Sequence, residues 1–186
     1  ITFINSNCFN LDAIYLTPDS NDPPPAPTTV PVSGSIVNQY GPLQVAYTGE
    51  YGNTLCDQNG YSVQLRGFSL HHTRYHWLAE KQTIQNMANE FNVDVVRVTQ
   101  YVEANMKGYL ESANVEAVMW ERTKQYIRDA IDAGIYAIVD WHIHADQNEM
   151  ATLLSEAQDF FTDVGDFLID EYGHIPANIM YEPTNE

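Results

Sequence analysis

VDVVRVTQYVEANMKGYLESANVEAVMWERTKQYIRDAIDAGIYAIVDWH, residues 93–142, holds one complete strand–helix–strand unit. VDVVRVT (93–99) is a short apolar run rich in β-branched residues, which reads as a buried strand. Residues 114–133 have amphipathic spacing and stop at Gly134, a helix C-terminal signal. IYAIVDWH (135–142) is a second apolar strand. A strand, a helix and a strand in series predict two parallel strands with the helix packed across one face.

The same alternation continues on both sides. SVQLRGFSL (62–70) reads as a strand and WLAEKQTIQNMANEF (77–91) as a helix. Residues 149–172 read as a helix closed by Gly173, and ANIMYEPTNE (177–186) begins as a strand. Before them, YTGEYGNTLCDQNGYSVQLRG (47–67) reads as a hairpin turning at Asn59-Gly60. Two α/β architectures fit this order, a doubly wound open sheet and a (β/α)8 TIM barrel. Each predicted strand ends in polar groups: Ser69 and His71, Thr99 and Tyr101, Asp140 and His142, Asn185 and Glu186. Barrels build their sites from several strand ends, whereas an open sheet uses one switch point and usually a Gly-rich phosphate loop. Neither G-x-G-x-x-G nor G-x-x-x-x-G-K-[ST] occurs. The expectation is a barrel of which about the first four β/α units are present.

The N-terminal part reads differently. FNLDAIYL (9–16) alternates like a strand, and residues 1–16 read as the tail of an upstream β-rich module. TPDSNDPPPAPTTVPVSG (17–34) is too proline-rich for helix or central strand, so 17–39 is expected to be an extended linker. The barrel half then runs from 40 to 186. Cys8 and Cys56 are the two cysteines, and both bridged and free states are open on sequence grounds. Eight Lys and Arg against 25 Asp and Glu give a net charge of −17, which opposes binding to nucleic acid or to an anionic membrane. No run of apolar residues is long enough to span a bilayer.

Several residues can carry chemistry. Glu186, just past an apolar strand and beside Asn185, is placed to act as a general acid at a barrel mouth. Arg97 lies among valines, where a guanidinium needs carboxylate partners, with Asp94 and Asp140 as candidates. Glu182 lies inside its strand and reads as a deeper structural carboxylate. His142 and His144 form H-x-H, with His71, His72 and His76 at another strand end; a metal-dependent hydrolase is therefore an alternative reading. A non-catalytic carbohydrate-binding protein is another.

Four segments taken together, VQLRGFSLHH (63–72), VVRVTQY (95–101), GIYAIVDWHIH (134–144) and NIMYEPTNE (178–186), resemble glycoside hydrolase family 5, in its bacterial-type endoglucanase branch. The resemblance covers about residues 40–186. It implies a secreted retaining endo-β-1,4-glucanase acting on cellulose or a related β-glucan, with no cofactor. It implies that Glu186 is the acid/base and that Asn185 holds the sugar 2-hydroxyl. His142 and His71 match histidines of the cleft, Tyr101 matches a cleft aromatic, and Arg97 matches an arginine that hydrogen-bonds the nucleophile. Tyr75 stands where the family often has a sugar-stacking tryptophan. The nucleophilic glutamate belongs to a later strand, outside this sequence, and the 186-residue piece is expected to be inactive alone.

Overall fold

The computed structural model describes residues 34–47, 52–75, 81–144 and 150–185. The expected upstream tail (1–16) and the start of the linker lie outside them. The linker boundary does not hold at residue 39. Helix α1, Ile36–Tyr40, lies inside the stretch assigned to the linker and packs onto the body of the domain. The prolines end at Pro31, Ser35 caps the helix by accepting from the Asn38 N–H, and Val37 is buried.

Strands β1 (Gln44–Tyr47) and β2 (Asn53–Cys56) pair antiparallel, from Gln44 opposite Cys56 to Tyr47 opposite Asn53. The Asn59-Gly60 turn forms just after them. Asp57 N–H donates to Tyr61 O at 2.9 Å, and Cys56 bridges Ser62. The predicted hairpin is thus present, but β1 adds a pairing that the sequence did not announce. Residues 62 and 63 belong to this hairpin, since Val63 N–H donates to Leu55 O. The expected strand 62–70 therefore contracts to β3, Gly67–Leu70. Cys56 is buried and has no disulfide partner among the described residues, and Cys8 lies outside them.

The main sheet contains β3, β4 (Val95–Tyr101), β5 (Tyr136–His142) and β6 (Ile179–Glu182). All pairs are parallel, and the spatial order is the sequence order. A doubly wound sheet reverses its order at a switch point, and this one does not. The connections carry α2 (Lys81–Glu90), α3 (Ala113–Ala133) and α4 (Met150–Tyr172). This is an unclosed arc of a (β/α)8 barrel.

Period-two alternation divides each strand between two environments. Val96, Val98, Ala137, Val139 and Trp141 pack with residues of the helices, including Ile84, Tyr126, Ile127, Phe160 and Leu168. The other set lines the inner face: Val95, Arg97, Thr99 and Tyr101 on β4, and Tyr136, Ile138, Asp140 and His142 on β5. Its lower end is apolar and is closed by α1, where Val37 packs on Val95 and Tyr136. Its upper end is polar. Register places Thr99, Asp140 and Glu182 in one row and Tyr101 beside His142 in the next.

Helix α3 shows why the local signals worked. Ser112 accepts from the Val115 N–H at its start, and Gly134 ends it at φ +71°, a left-handed conformation that glycine adopts without steric cost. Trp141, fully buried, donates its indole N–H to Leu153 O, tying β5 to α4.

Candidate functional site

The upper row is organised by Arg97. Its Nε and Nη2 donate to the two carboxylate oxygens of Glu182, both at 2.7 Å, and Nη2 also lies 3.0 Å from Asp140 Oδ2. Glu182 is thus the deeper structural carboxylate expected from its place inside the strand. Of the two partners considered for Arg97, Asp140 is the one used. Asp94 instead accepts from the backbone and side chain of Arg66, at 2.9 and 3.1 Å. Burial opposes the guanidinium charge, but the bond to Glu182 and the charges of Asp140 and Glu182 outweigh it and raise the Arg97 pKa.

Asp140 is fully buried and also contacts His142 Nδ1 at 2.8 Å. Burial pushes its carboxyl up to about 8, against the lowering effect of Arg97. Burial and the charge of Arg97 hold the His142 imidazole down at about 4.

Above this row the site is aromatic. Tyr101 stacks on His142 at a centroid distance of 4.7 Å with planes 9° apart. Its hydroxyl lies 3.4 Å from His71 Nδ1. Tyr75 stacks parallel to His71 at 5.9 Å. The structure thus brings His71, Tyr75, Tyr101 and His142 into one continuous group. Asn185 joins them from β6: its Oδ1 accepts the Ile143 N–H at 2.7 Å, so the segment after β6 is fastened to the end of β5. Glu186, the next residue, lies outside the described residues.

The loop carrying His71 and Tyr75 is held from below by a buried polar clamp. Thr73 and Thr123 both donate to Gln100 Oε1, at 3.1 and 2.8 Å, and Gln100 is fully buried. Arg122 Nη1 donates to the carbonyls of Thr73 and Arg74. Sequence reading missed Glu103, which is buried two residues past β4 and accepts the His144 N–H. Continued alternation through 97, 99, 101 and 103 is the signal that points to it.

For the metal-dependent alternative, the rings of His142 and His144 are 4.6 Å apart. His142 Nδ1 is taken by Asp140, and His76 lies outside the described residues. Among the described residues, no group of three or more His, Cys, Asp or Glu side chains is arranged to hold a metal ion. Among them, too, no helix is long and apolar enough to cross a membrane.

The chain is similar to several known endoglucanases. The chain is 31% identical over 171 residues to Endoglucanase E-5 of Thermobifida fusca, covering 88% of this chain and 32% of that protein. It is 32% identical over 136 residues to an endoglucanase of Clostridium saccharobutylicum, covering 73% of this chain and 28% of that one. The solved catalytic domain of the Thermobifida fusca endoglucanase Cel5A (E5) superposes with a TM-score of 0.68 at 29% identity, over 82% of this chain and 45% of that domain. The catalytic domain of alkaline cellulase K gives 0.65 at 29% identity, over 81% and 40%. The chain therefore spans about a third of the length of these curated relatives and under half of the solved domains. The family described as Cellulase (glycosyl hydrolase family 5) matches residues 56–186, and the chain belongs to glycoside hydrolase family 5.

Proposed function

We propose that this chain is part of the catalytic domain of a secreted, retaining endo-β-1,4-glucanase that cleaves cellulose or a related neutral β-glucan. The observation that carries the reading is the seat of Asn185. Its side chain is bonded to Ile143 N beside the stacked Tyr101–His142 pair, which sets Asn185 at the mouth of the inner face. The endoglucanase relatives support the activity, and a variant of the Thermobifida fusca domain was solved with cellotetraose.

In this reading Glu186 protonates the leaving glycosidic oxygen and then takes a proton from the attacking water. Asn185, His71, His142, Tyr75 and Tyr101 orient the sugar. The nucleophilic carboxylate comes from outside residues 1–186. The bonds of Arg97 to Glu182 and Asp140 engage Nε and Nη2, and Nη1 is the nitrogen proposed to face that nucleophile. Retention requires the two carboxyl groups to stand about 5–5.5 Å apart. The formal charge of −17 suits a neutral substrate and opposes polyanions.

The test is Glu186→Ala in the complete enzyme. Turnover of soluble cellulose derivatives should fall about 10²–10⁴-fold, the range of general acid catalysis. Aryl cellobiosides whose leaving group needs no proton should lose much less in the first step. Equal losses on both substrates would refute the acid/base role. The purified 186-residue chain should not hydrolyse either substrate.

A further inference from the structure

Two groups at the same mouth have no role in that reading. Glu103 is only 7% exposed, yet it is a carboxylate. One oxygen accepts the His144 N–H. The other is buried, has no hydrogen-bond partner among the described residues, and lies 3.7 Å from His144 Nδ1. His144 itself is 38% exposed at its side chain. Its ring stands edge-on to His142 at 4.6 Å and to Tyr101 at 4.9 Å. Alternation puts it on the same side as His142, since the intervening Ile143 is buried in the core with Trp141.

A buried acidic side chain beside a partly exposed imidazole occurs twice in this cleft: Asp140 bonds His142 Nδ1 at 2.8 Å, and Glu103 Oε2 approaches His144 Nδ1 to 3.7 Å. Burying a carboxylate is costly, and one backbone N–H does not offset it. A carboxylate on Nδ1 fixes the ring orientation and tautomer, and leaves Nε2 free to meet a ligand.

We propose that His144 is a further substrate-contacting residue, whose Nε2 accepts a hydrogen bond from a glucan hydroxyl, and that Glu103 is its positioning residue. The proposal rests on the glucanase reading above. It adds a sugar contact on the His142 side of the Tyr101 stack, beyond the residues assigned there. In this proposal the nearby Glu103 carboxylate, 3.7 Å from Nδ1, favours the proton there through its charge, so that Nε2 is an acceptor and not a donor.

The experiment is steady-state kinetics of the complete enzyme on cello-oligosaccharides, with imidazole ¹⁵N spectra of His144. His144→Ala should raise KM about 3–10-fold, the worth of one neutral hydrogen bond, and leave kcat within about twofold. His144→Gln, which keeps an acceptor at similar reach, should recover most of that loss. Glu103→Gln should move His144 from the Nδ1–H toward the Nε2–H tautomer and raise KM in step. An unchanged KM in His144→Ala, in an enzyme that does cleave glucan, overturns this proposal and leaves the glucanase reading intact. An unchanged tautomer in Glu103→Gln overturns the positioning role. An enzyme with no glucan turnover at all overturns the glucanase reading, and this proposal with it.

Discussion

Arg97→Met offers the sharpest test of how the inner face is held together. The substitution removes a guanidinium that makes three contacts of 2.7–3.0 Å with two carboxylates. Asp140 can stay neutral, because burial already lifts its carboxyl to about 8. Glu182, with a side chain 12% exposed, is left as a charge without its partner. Stranding one member of a buried pair costs about 3–5 kcal/mol. Protonation sets a ceiling on that cost. Neutralising a glutamate of ordinary pKa near 4.3 takes about 1.4 kcal/mol per pH unit, so about 4 kcal/mol at pH 7 and about 1 kcal/mol at pH 5. The destabilisation should therefore shrink by about 3 kcal/mol between pH 7 and pH 5. Replacing both partners, as Arg97→Met with Glu182→Met, should return stability to within about 1–2 kcal/mol of the starting protein, since apolar replacement of a whole buried pair is close to neutral. Urea denaturation followed by circular dichroism at the two pH values measures all three quantities. A cost below 1 kcal/mol at pH 7, a cost independent of pH, or a double variant no better than the single one would refute the reasoning.

Two further outcomes follow from the same geometry. The raised pKa of Asp140 means that the folded state binds its proton more tightly than the unfolded one, so this group's stabilisation is complete below about 4 and is lost as pH rises toward 8. Between pH 6.5 and 8 the loss is on the order of 1–2 kcal/mol; Asp140→Asn should remove that slope from a plot of unfolding free energy against pH, and an unchanged slope would assign it elsewhere. Gln100→Leu leaves the Thr73 and Thr123 hydroxyls without their shared acceptor and should cost about 2–4 kcal/mol in urea denaturation. It should also expose the 72–75 loop to proteolysis, and a loop as resistant as before would show that the clamp does not hold it.

The sequence determined the arc of the barrel because its signals are local. Apolar β-branched runs mark the strands, and the end of α3 follows from the glycine at 134. The row of polar strand ends was legible because alternation and strand length together place such residues at one edge of a parallel sheet. Even the structural role of Glu182, part-buried and paired with Arg97, followed from its place inside a strand. Elsewhere local pattern was ambiguous. Alternation through residues 62–70 runs across two structures, a hairpin and a strand, and only the pairing of Val63 with Leu55 separates them. The short apolar helix at 36–40 was hidden by the prolines before it.

Partnerships were decided by the tertiary structure. Arg97 and Glu182 are 85 residues apart, and parallel register across β4, β5 and β6 brings them together. The same register gives Asp140 to Arg97 and His142, while Asp94, three positions from Arg97 in sequence, goes to Arg66 at the opposite end of the strand. The pairing of Glu103 with His144 depends on where two neighbouring strands end relative to one another. Periodicity along a chain fixes which face a side chain takes. Its height on the sheet, and therefore its partner, is set by hydrogen bonding between segments distant in sequence.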